Sequence, residues 1–159
     1  MPRICSGSVA LSMEITDTHN FAATPEEVWV VLMDPDAIKA CLRGCRELRP
    51  TGDNRYHADI SFGVGAVSGI FSAVVTLSDQ SPPNSYRITV HATGKPGFAH
   101  GTANVLLKRV ESGTDVEVNA SAEVGGLIAR VGQRLVEGVA RMTIAGFFSC
   151  LAARLGSTT

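Results

Sequence analysis

Thr114-Asp115-Val116-Glu117-Val118-Asn119-Ala120-Ser121-Ala122-Glu123-Val124-Gly125-Gly126-Leu127-Ile128-Ala129-Arg130-Val131 is the stretch on which the fold turns. Up to Val124 every second residue is apolar: Val116, Val118, Ala120, Ala122 and Val124 alternate against Asp115, Glu117, Asn119, Ser121 and Glu123. A period of two belongs to a strand with one dry face and one wet face. Beyond Gly125-Gly126 the spacing changes to threes and fours. Ile128, Val131, Leu135, Val139, Met142 and Gly146 fall on one stripe, opposed by Arg130, Gln133, Arg134, Glu137 and Arg141. This spacing predicts one amphipathic helix over 127 to about 155, with Glu137 and Arg141 paired at i, i+4. A run of strands passing directly into a long terminal helix predicts a curved sheet folded around that helix, with a cavity between them.

Upstream, the same alternation recurs. Tyr56, Ala58, Ile60 and Phe62 share a face against His57, Asp59 and Ser61; Val67, Gly69, Phe71, Ala73, Val75 and Leu77 form the next apolar row. Pro82-Pro83-Asn84-Ser85 reads as a turn, after which Tyr86, Ile88, Val90 and Ala92 alternate with Arg87, Thr89, His91 and Thr93. Turns at 94–97 and 111–113 bracket a further strand through Ala103, Val105 and Leu107. One wet and one dry face per strand predicts an antiparallel sheet covered on a single side. Before these strands, residues 14–21 read as a first strand. Thr24-Pro25-Glu26-Glu27 reads as a helix start, with Thr24 as N-cap, Pro25 at the first helical position and Glu27 closing a capping box. That helix carries Val28, Trp29, Val31 and Leu32 and stops at Asp34-Pro35. A second short helix over 36–42 ends at Gly44.

The chain has 159 residues, enough for one domain with a sizeable core. The expected division is a flexible leader over 1–12, the domain over 13–156 and a short tail over 157–159. The net charge is -1 and the cations are scattered, which argues against nucleic acid as a partner. No apolar run approaching the roughly 18 residues of a spanning helix is expected. The first twelve residues lack the apolar core of an export signal, and the four cysteines, Cys5, Cys41, Cys45 and Cys150, form no dense framework. A cytoplasmic setting with reduced thiols is therefore expected. Cys41 and Cys45, at i and i+4, are the only suggestive pair, and with no further ligands nearby they are taken as structural or incidental thiols, with no metal expected.

The expected cavity is lined by Phe62, Phe71, Tyr86, Ile88, Val105, Val118, Ile128, Val131, Leu135 and Met142, a mostly hydrocarbon surface suited to an apolar ligand. Ala58, Ala73, Ala92, Ala103, Ala120 and Ala122 leave the inner rows short of volume. Tyr56 or Tyr86 is placed to offer a hydroxyl to a polar end such as a quinone carbonyl. Gly132, Gly138 and Gly146 each cost roughly 1 kcal/mol in a helix interior, so something bulky is expected to approach them. Towards the end of the helix Phe147, Phe148 and Leu151 make it apolar nearly all round. Burial under the leader or at a homodimer contact is one reading of these three; a docking surface for a partner or membrane is the other.

Catalytic constellations are weak. His57 and His91 fall on wet faces, His19 has no evident partner, and His100 lies in a turn between Gly97 and Gly101, where ligand contact is one reading. Ser61, His57 and Asp59, two apart on a strand, cannot form a relay. Gly63-Val64-Gly65 precedes no helix that would cradle a phosphate. No catalytic residue and no cofactor is expected.

The order of strand, two short helices, a six-stranded run and a closing helix resembles the α+β helix-grip fold of START-like and Bet v 1-like domains, a curved antiparallel sheet wrapped around a long C-terminal helix. Within that superfamily the sequence is similar to the G-subunit proteins of carbon monoxide dehydrogenase. The matching stretches are Val28-Trp29, Leu32-Met33-Asp34-Pro35, Cys41-Leu42-Arg43-Gly44-Cys45, Ser81-Pro82-Pro83-Asn84-Ser85-Tyr86, Gly101-Thr102-Ala103, and Val124-Gly125-Gly126-Leu127 on through Arg134-Leu135. The resemblance implies an accessory protein of a molybdenum-containing carbon monoxide dehydrogenase or related hydroxylase. Its role would be to bind a lipophilic molecule such as a quinone or lipid, or to dock the hydroxylase at the inner face of a membrane. A polyketide cyclase-like enzyme is the third expectation, from the same superfamily. The family pattern often has Pro where Arg43 stands, a difference expected to alter the lip of the cavity, and many relatives carry a C-terminal extension beyond the point where this chain reads Gly156-Ser157-Thr158-Thr159.

Overall fold

Strand pairing and helix caps organise the chain in the order that its periodicities predict. The structure, a computed structural model, describes residues 10–64 and 67–156; of the leader expected over 1–12, residues 1–9 lie outside them and 10–12 belong to the first strand, and the tail over 157–159, Gly65 and Ala66 also lie outside. The elements run β1 (Ala10–Phe21), α1 (Pro25–Leu32), α2 (Pro35–Cys41), β2 (Cys45–Gly52), β3 (Arg55–Val64), β4 (Val67–Ser81), β5 (Ser85–Gly94), β6 (Gly97–Val110), β7 (Gly113–Gly125), a 3₁₀ turn (Leu127–Val131) and α3 (Gln133–Gly156). The seven strands form one sheet in the order β1-β7-β6-β5-β4-β3-β2. Each strand from β2 to β7 pairs antiparallel with its chain neighbour. β1 closes the sheet on β7, with Ile15 opposite Ala120. This is the helix-grip architecture expected, with α3 packed against β1, β3, α1 and α2.

The helix starts follow from local chemistry. Thr24 accepts from the Glu27 amide at 3.2 Å while the Glu27 carboxylate accepts from the Thr24 amide at 2.9 Å, which satisfies two of the donors left free at a helix start. Asp34 caps α2 by accepting from the Asp36 amide at 3.0 Å. Gly44 then turns the chain with φ +84, and a Cβ there would strike the backbone carbonyl of Ser61. The Ser61 amide donates to the Gly44 carbonyl at 2.8 Å, so this corner is fastened directly to β3.

Inward residues of the strands and one side of α3 make two cores. One gathers Phe21, Val28, Leu32, Leu77, Tyr86, Val105, Val116, Val118, Phe148 and Leu151 under α1 and α2. The other gathers Met13, Ile15, Ala58, Phe71, Ala73, Ala92, Val124, Ile128 and Val136.

Four expectations are corrected. The closing helix is not continuous from Leu127: a 3₁₀ turn ends at Gly132, whose φ of +108 breaks the helical path before α3 begins. The break resets the helical phase. The side of α3 that packs on the sheet therefore carries Val136, Ile144, Phe148 and Leu151 rather than the row through Leu135 and Met142, which are 44% and 70% exposed. Gly132, Gly138 and Gly146 have nothing within 4 Å of the place a Cβ would occupy, so no bulky neighbour presses on them. Cys41 is disulfide-bonded to Cys150, 109 residues away, and Cys45 is left as a free thiol. This joins α2 to the last turns of α3. Disulfides are uncommon in reducing compartments, so the cysteines no longer argue for a cytoplasmic setting. Finally, the window Gln133–Leu155 has a mean hydropathy of 1.4 and is by length and composition apolar enough to cross a membrane, with 17% of it buried. Core helices of water-soluble folds meet the same criterion, and α3 packs on its own sheet.

Candidate functional site

The corner at Gly44 borders an opening between the sheet and α3. A pocket of about 540 Å³ lies where the end of β3 and the α2–β2 corner face the middle of α3. Phe62 and Gly63 come from β3, Cys41 and Arg43 from the corner, and Val139, Met142, Thr143, Gly146 and Phe147 from α3, with Ser61 at the rim. The apolar wall is Phe62, Val139, Met142 and Phe147. Phe62 is steadied by an edge-on contact with Phe71 at 6.2 Å, and Phe147 by one with Phe148 at 5.2 Å. Gly146 leaves the floor open where any side chain would project into the space. Thr143 donates to the Val139 carbonyl at 2.8 Å, which commits its proton to the helix and leaves its oxygen as an acceptor. The disulfide at Cys41 fixes one wall to the same helix that supplies the other. The volume falls within the roughly 300–1,000 Å³ of small-molecule sites.

Of the expected lining, Phe62 and Met142 reach this pocket, and Phe147, expected as contact surface, joins them. Tyr86, Val105 and Val118 are instead sealed in the first core, with Tyr56 and Ile88 packed against it. Phe71 and Ile128 lie in the second, with Val131 beside them. Leu135 faces outward. Neither tyrosine hydroxyl faces the pocket; burial raises the Tyr86 pKa well above that of an ordinary phenol, and its ring packs edge-on to Trp29 at 5.3 Å. Most of the alanines of the inner rows are buried or packed against the two cores, and the open volume of the pocket lies at the mouth. Phe148 and Leu151, 6% and 0% exposed, are core residues and present no docking surface. The pocket residues absent from the expected lining are Cys41, Arg43, Ser61, Gly63, Val139, Thr143 and Gly146. Val139 and Gly146 were legible from the same helical stripe as Met142. Of the corner residues, Arg43 was expected at the lip through the family resemblance; Cys41 was not, since its place beside α3 goes with its bond to Cys150.

The histidines take other roles. His19 stacks on Phe148 at 4.8 Å, with Asp17 3.3 Å from its Nε2. That contact is an ion-pair distance without hydrogen-bond alignment, so this nitrogen has no hydrogen-bond partner. His57 Nε2 meets Ser72 Oγ at 2.8 Å, and Asp59 approaches the same nitrogen at 4.0 Å, leaving Nδ1 unpartnered. A relay needs the carboxylate on the opposite ring nitrogen, so this trio does not form one. His91 and His100 meet through Nδ1 at 3.1 Å, with Phe98 stacked on His100 at 4.8 Å, in a shallow groove on the outer face of the sheet. That groove is slightly larger, about 570 Å³, but wide open to solvent and rimmed by Ser12, Glu14 and Glu123. The pocket at α3 is the more closed of the two and has aromatic walls, which makes it the better candidate for a lipophilic ligand. Among the described residues no group of three or more metal-ligating side chains converges. Burial raises the Cys45 thiol pKa, against smaller lowering effects of the Glu47 backbone and the Lys39 charge, and keeps it protonated.

A family model described as the G subunit of carbon monoxide dehydrogenase (CoxG) matches residues 18–156. Among solved structures, a conserved protein from Geobacillus kaustophilus is similar at 34% identity and a TM-score of 0.85, covering 93% of this chain and 97% of that one. An uncharacterised protein from Rhizobium leguminosarum is similar in fold at 12% identity and a TM-score of 0.68, covering 92% and 98%. So is the di-domain ARO/CYC protein StfQ from the steffimycin biosynthetic pathway, at 11% identity and a TM-score of 0.66; the match covers 90% of this chain and 50% of StfQ. No curated protein matches the chain significantly.

Proposed function

The chain belongs to the CoxG family, the G subunits of carbon monoxide dehydrogenase, and on that premise we propose that it is an accessory protein holding a lipophilic small molecule in the pocket between β3 and α3. A quinone or a lipid serving a molybdenum-containing carbon monoxide dehydrogenase or related hydroxylase, at the inner face of the membrane, fits this reading. One observation carries it: Phe62, Val139, Met142 and Phe147 surround about 540 Å³ that no side chain among the described residues fills. Apolar walls facing unfilled space lack the dispersion contacts they would make in a packed core. A hydrocarbon guest restores them and removes apolar surface from water. Native mass spectrometry of gently purified protein is expected to show a bound quinone or lipid. Gly146→Leu should lose that adduct while the fold persists, because Leu at 146 projects into the space the guest occupies. An adduct that survives Gly146→Leu, or a protein that is empty and takes up no apolar probe, overturns the reading.

A second reading rests on Leu135 and Met142, apolar residues left exposed on α3. They would make α3 a docking face for a partner hydroxylase, a membrane or a second copy of the chain. Leu135→Ser, which leaves the pocket lining untouched, should then weaken liposome flotation or hydroxylase pull-down; unchanged binding in both removes this reading. A cyclase-like reaction on the same guest would have Ser61, Thr143 and Arg43 as its polar groups, and turnover of a polyketide probe is its test.

A further inference from the structure

Among the described residues that line it, the pocket has one charged group. Arg43 stands at its lip, and none of the other lining side chains is ionised. The stretch Ala37-Ile38-Lys39-Ala40-Cys41-Leu42-Arg43-Gly44-Cys45-Arg46 contains three cations and no acid. The acids nearest in sequence or across the strand pair have other neighbours: Glu47 binds Arg49 at 2.8 Å and Asp59 lies 4.0 Å from His57. Among the described residues no carboxylate makes an ion pair with Arg43. Arg43 is also held in place. Gly44, the next residue, is fastened to the backbone of Ser61, and Cys41, two before it, is bonded to Cys150 in α3. The backbone that carries Arg43 is therefore held beside the opening.

We infer that the pocket selects lipophilic molecules with an anionic head. The guest would be a single hydrocarbon chain ending in a carboxylate or phosphate, its chain against Phe62, Val139 and Phe147 and its head on the Arg43 guanidinium with the Ser61 hydroxyl beside it. The guanidinium fork matches both head groups in two parallel hydrogen bonds. A neutral head such as an alcohol gains only a single, weaker bond there. At the rim of an apolar wall the contact is partly shielded from water, which strengthens it relative to a fully solvated pair. This inference rests on the pocket reading above and narrows its guest to a lipid with an ionised head, against a quinone, whose head is neutral.

The test uses three probes of one chain length, decanoate, decyl phosphate and 1-decanol, titrated calorimetrically into the full chain below their aggregation concentrations. A charge-assisted contact predicts roughly tenfold or greater preference for the two anions over decanol. Arg43→Gln should abolish the preference, weakening the two anions far more than decanol. Arg43→Lys should keep part of it, and the preference should shrink as salt rises. Equal binding of all three probes, or a preference that persists in Arg43→Gln, overturns the anionic head and leaves the pocket standing. Failure of all three, decanol included, overturns the pocket reading as well. Decanoate and decyl phosphate also separate the two sources of such a head: stronger binding of decanoate points to a fatty acid, stronger binding of decyl phosphate to a lipid phosphate.

Discussion

The two ends of the space between sheet and α3 are lined by the same kinds of side chain and built to opposite effect. Under α1 and α2, Phe21, Val28, Val105, Val116, Phe148 and Leu151 close on one another until none is appreciably exposed. Between β3 and the middle of α3, Phe62, Val139, Met142 and Phe147 stand around open volume. Hydrophobicity alone does not separate core from pocket. What separates them is whether a neighbouring element comes within contact distance, and at the pocket end Gly63 and Gly146 contribute no side chain while the 44-to-61 fastening sets the corner's position. The closed end holds α3 in place so that the open end need not collapse.

The strongest way to break this contrast is Phe148→Ala, expected to cost about 3–5 kcal/mol in urea unfolding. Phe147, half-buried one residue earlier, should cost clearly less as Phe147→Ala and should instead weaken uptake of an apolar probe. Equal losses in stability would mean that both positions are core. Next comes Cys150→Ser, expected to cost about 2–4 kcal/mol in non-reducing buffer and nothing further once dithiothreitol is present. A count of four reactive thiols in denatured, non-reduced wild type would remove the clamp between α2 and α3. On the open side, Gly138 has nothing within 4 Å of an added Cβ, so Gly138→Ala should stabilise by up to about 1 kcal/mol. A loss there would expose a neighbour packed on that side of the helix. The smallest effect on folding belongs to Met142→Ser. Its 70% exposure places it within about 0.5 kcal/mol of wild type, whereas its place in the pocket predicts a several-fold weaker apolar probe.

Much of this was legible from sequence. The alternation through Val116 to Val124 and the capping box at Thr24 and Glu27 are local signals, and the strand and helix they predict are present. The phase of α3 was not legible, because a stripe drawn through Ile128, Val131 and Leu135 assumes an unbroken helix. Gly132 at φ +108 ends that continuity and shifts every later residue around the axis. The wrong phase put Leu135 in the lining and placed Phe148 and Leu151 on an outer surface. The cysteines failed for a related reason: Cys41 looks paired with Cys45 by spacing, yet its partner lies 109 residues on.

From the sequence by itself came the elements, their order, the single wet face of the sheet and the family that this order resembles, because each depends on periodicity, caps or turns spanning a few residues. Tertiary structure alone decided which apolar residues became core and which became pocket. It also decided that an arginine with no carboxylate partner among the described residues stands at the charged point of the lining. Those outcomes depend on how far apart β3, the α2–β2 corner and α3 come to rest. Backbone events at Gly44 and Gly132 and a bond between distant cysteines set that separation, and no short-range pattern encodes it.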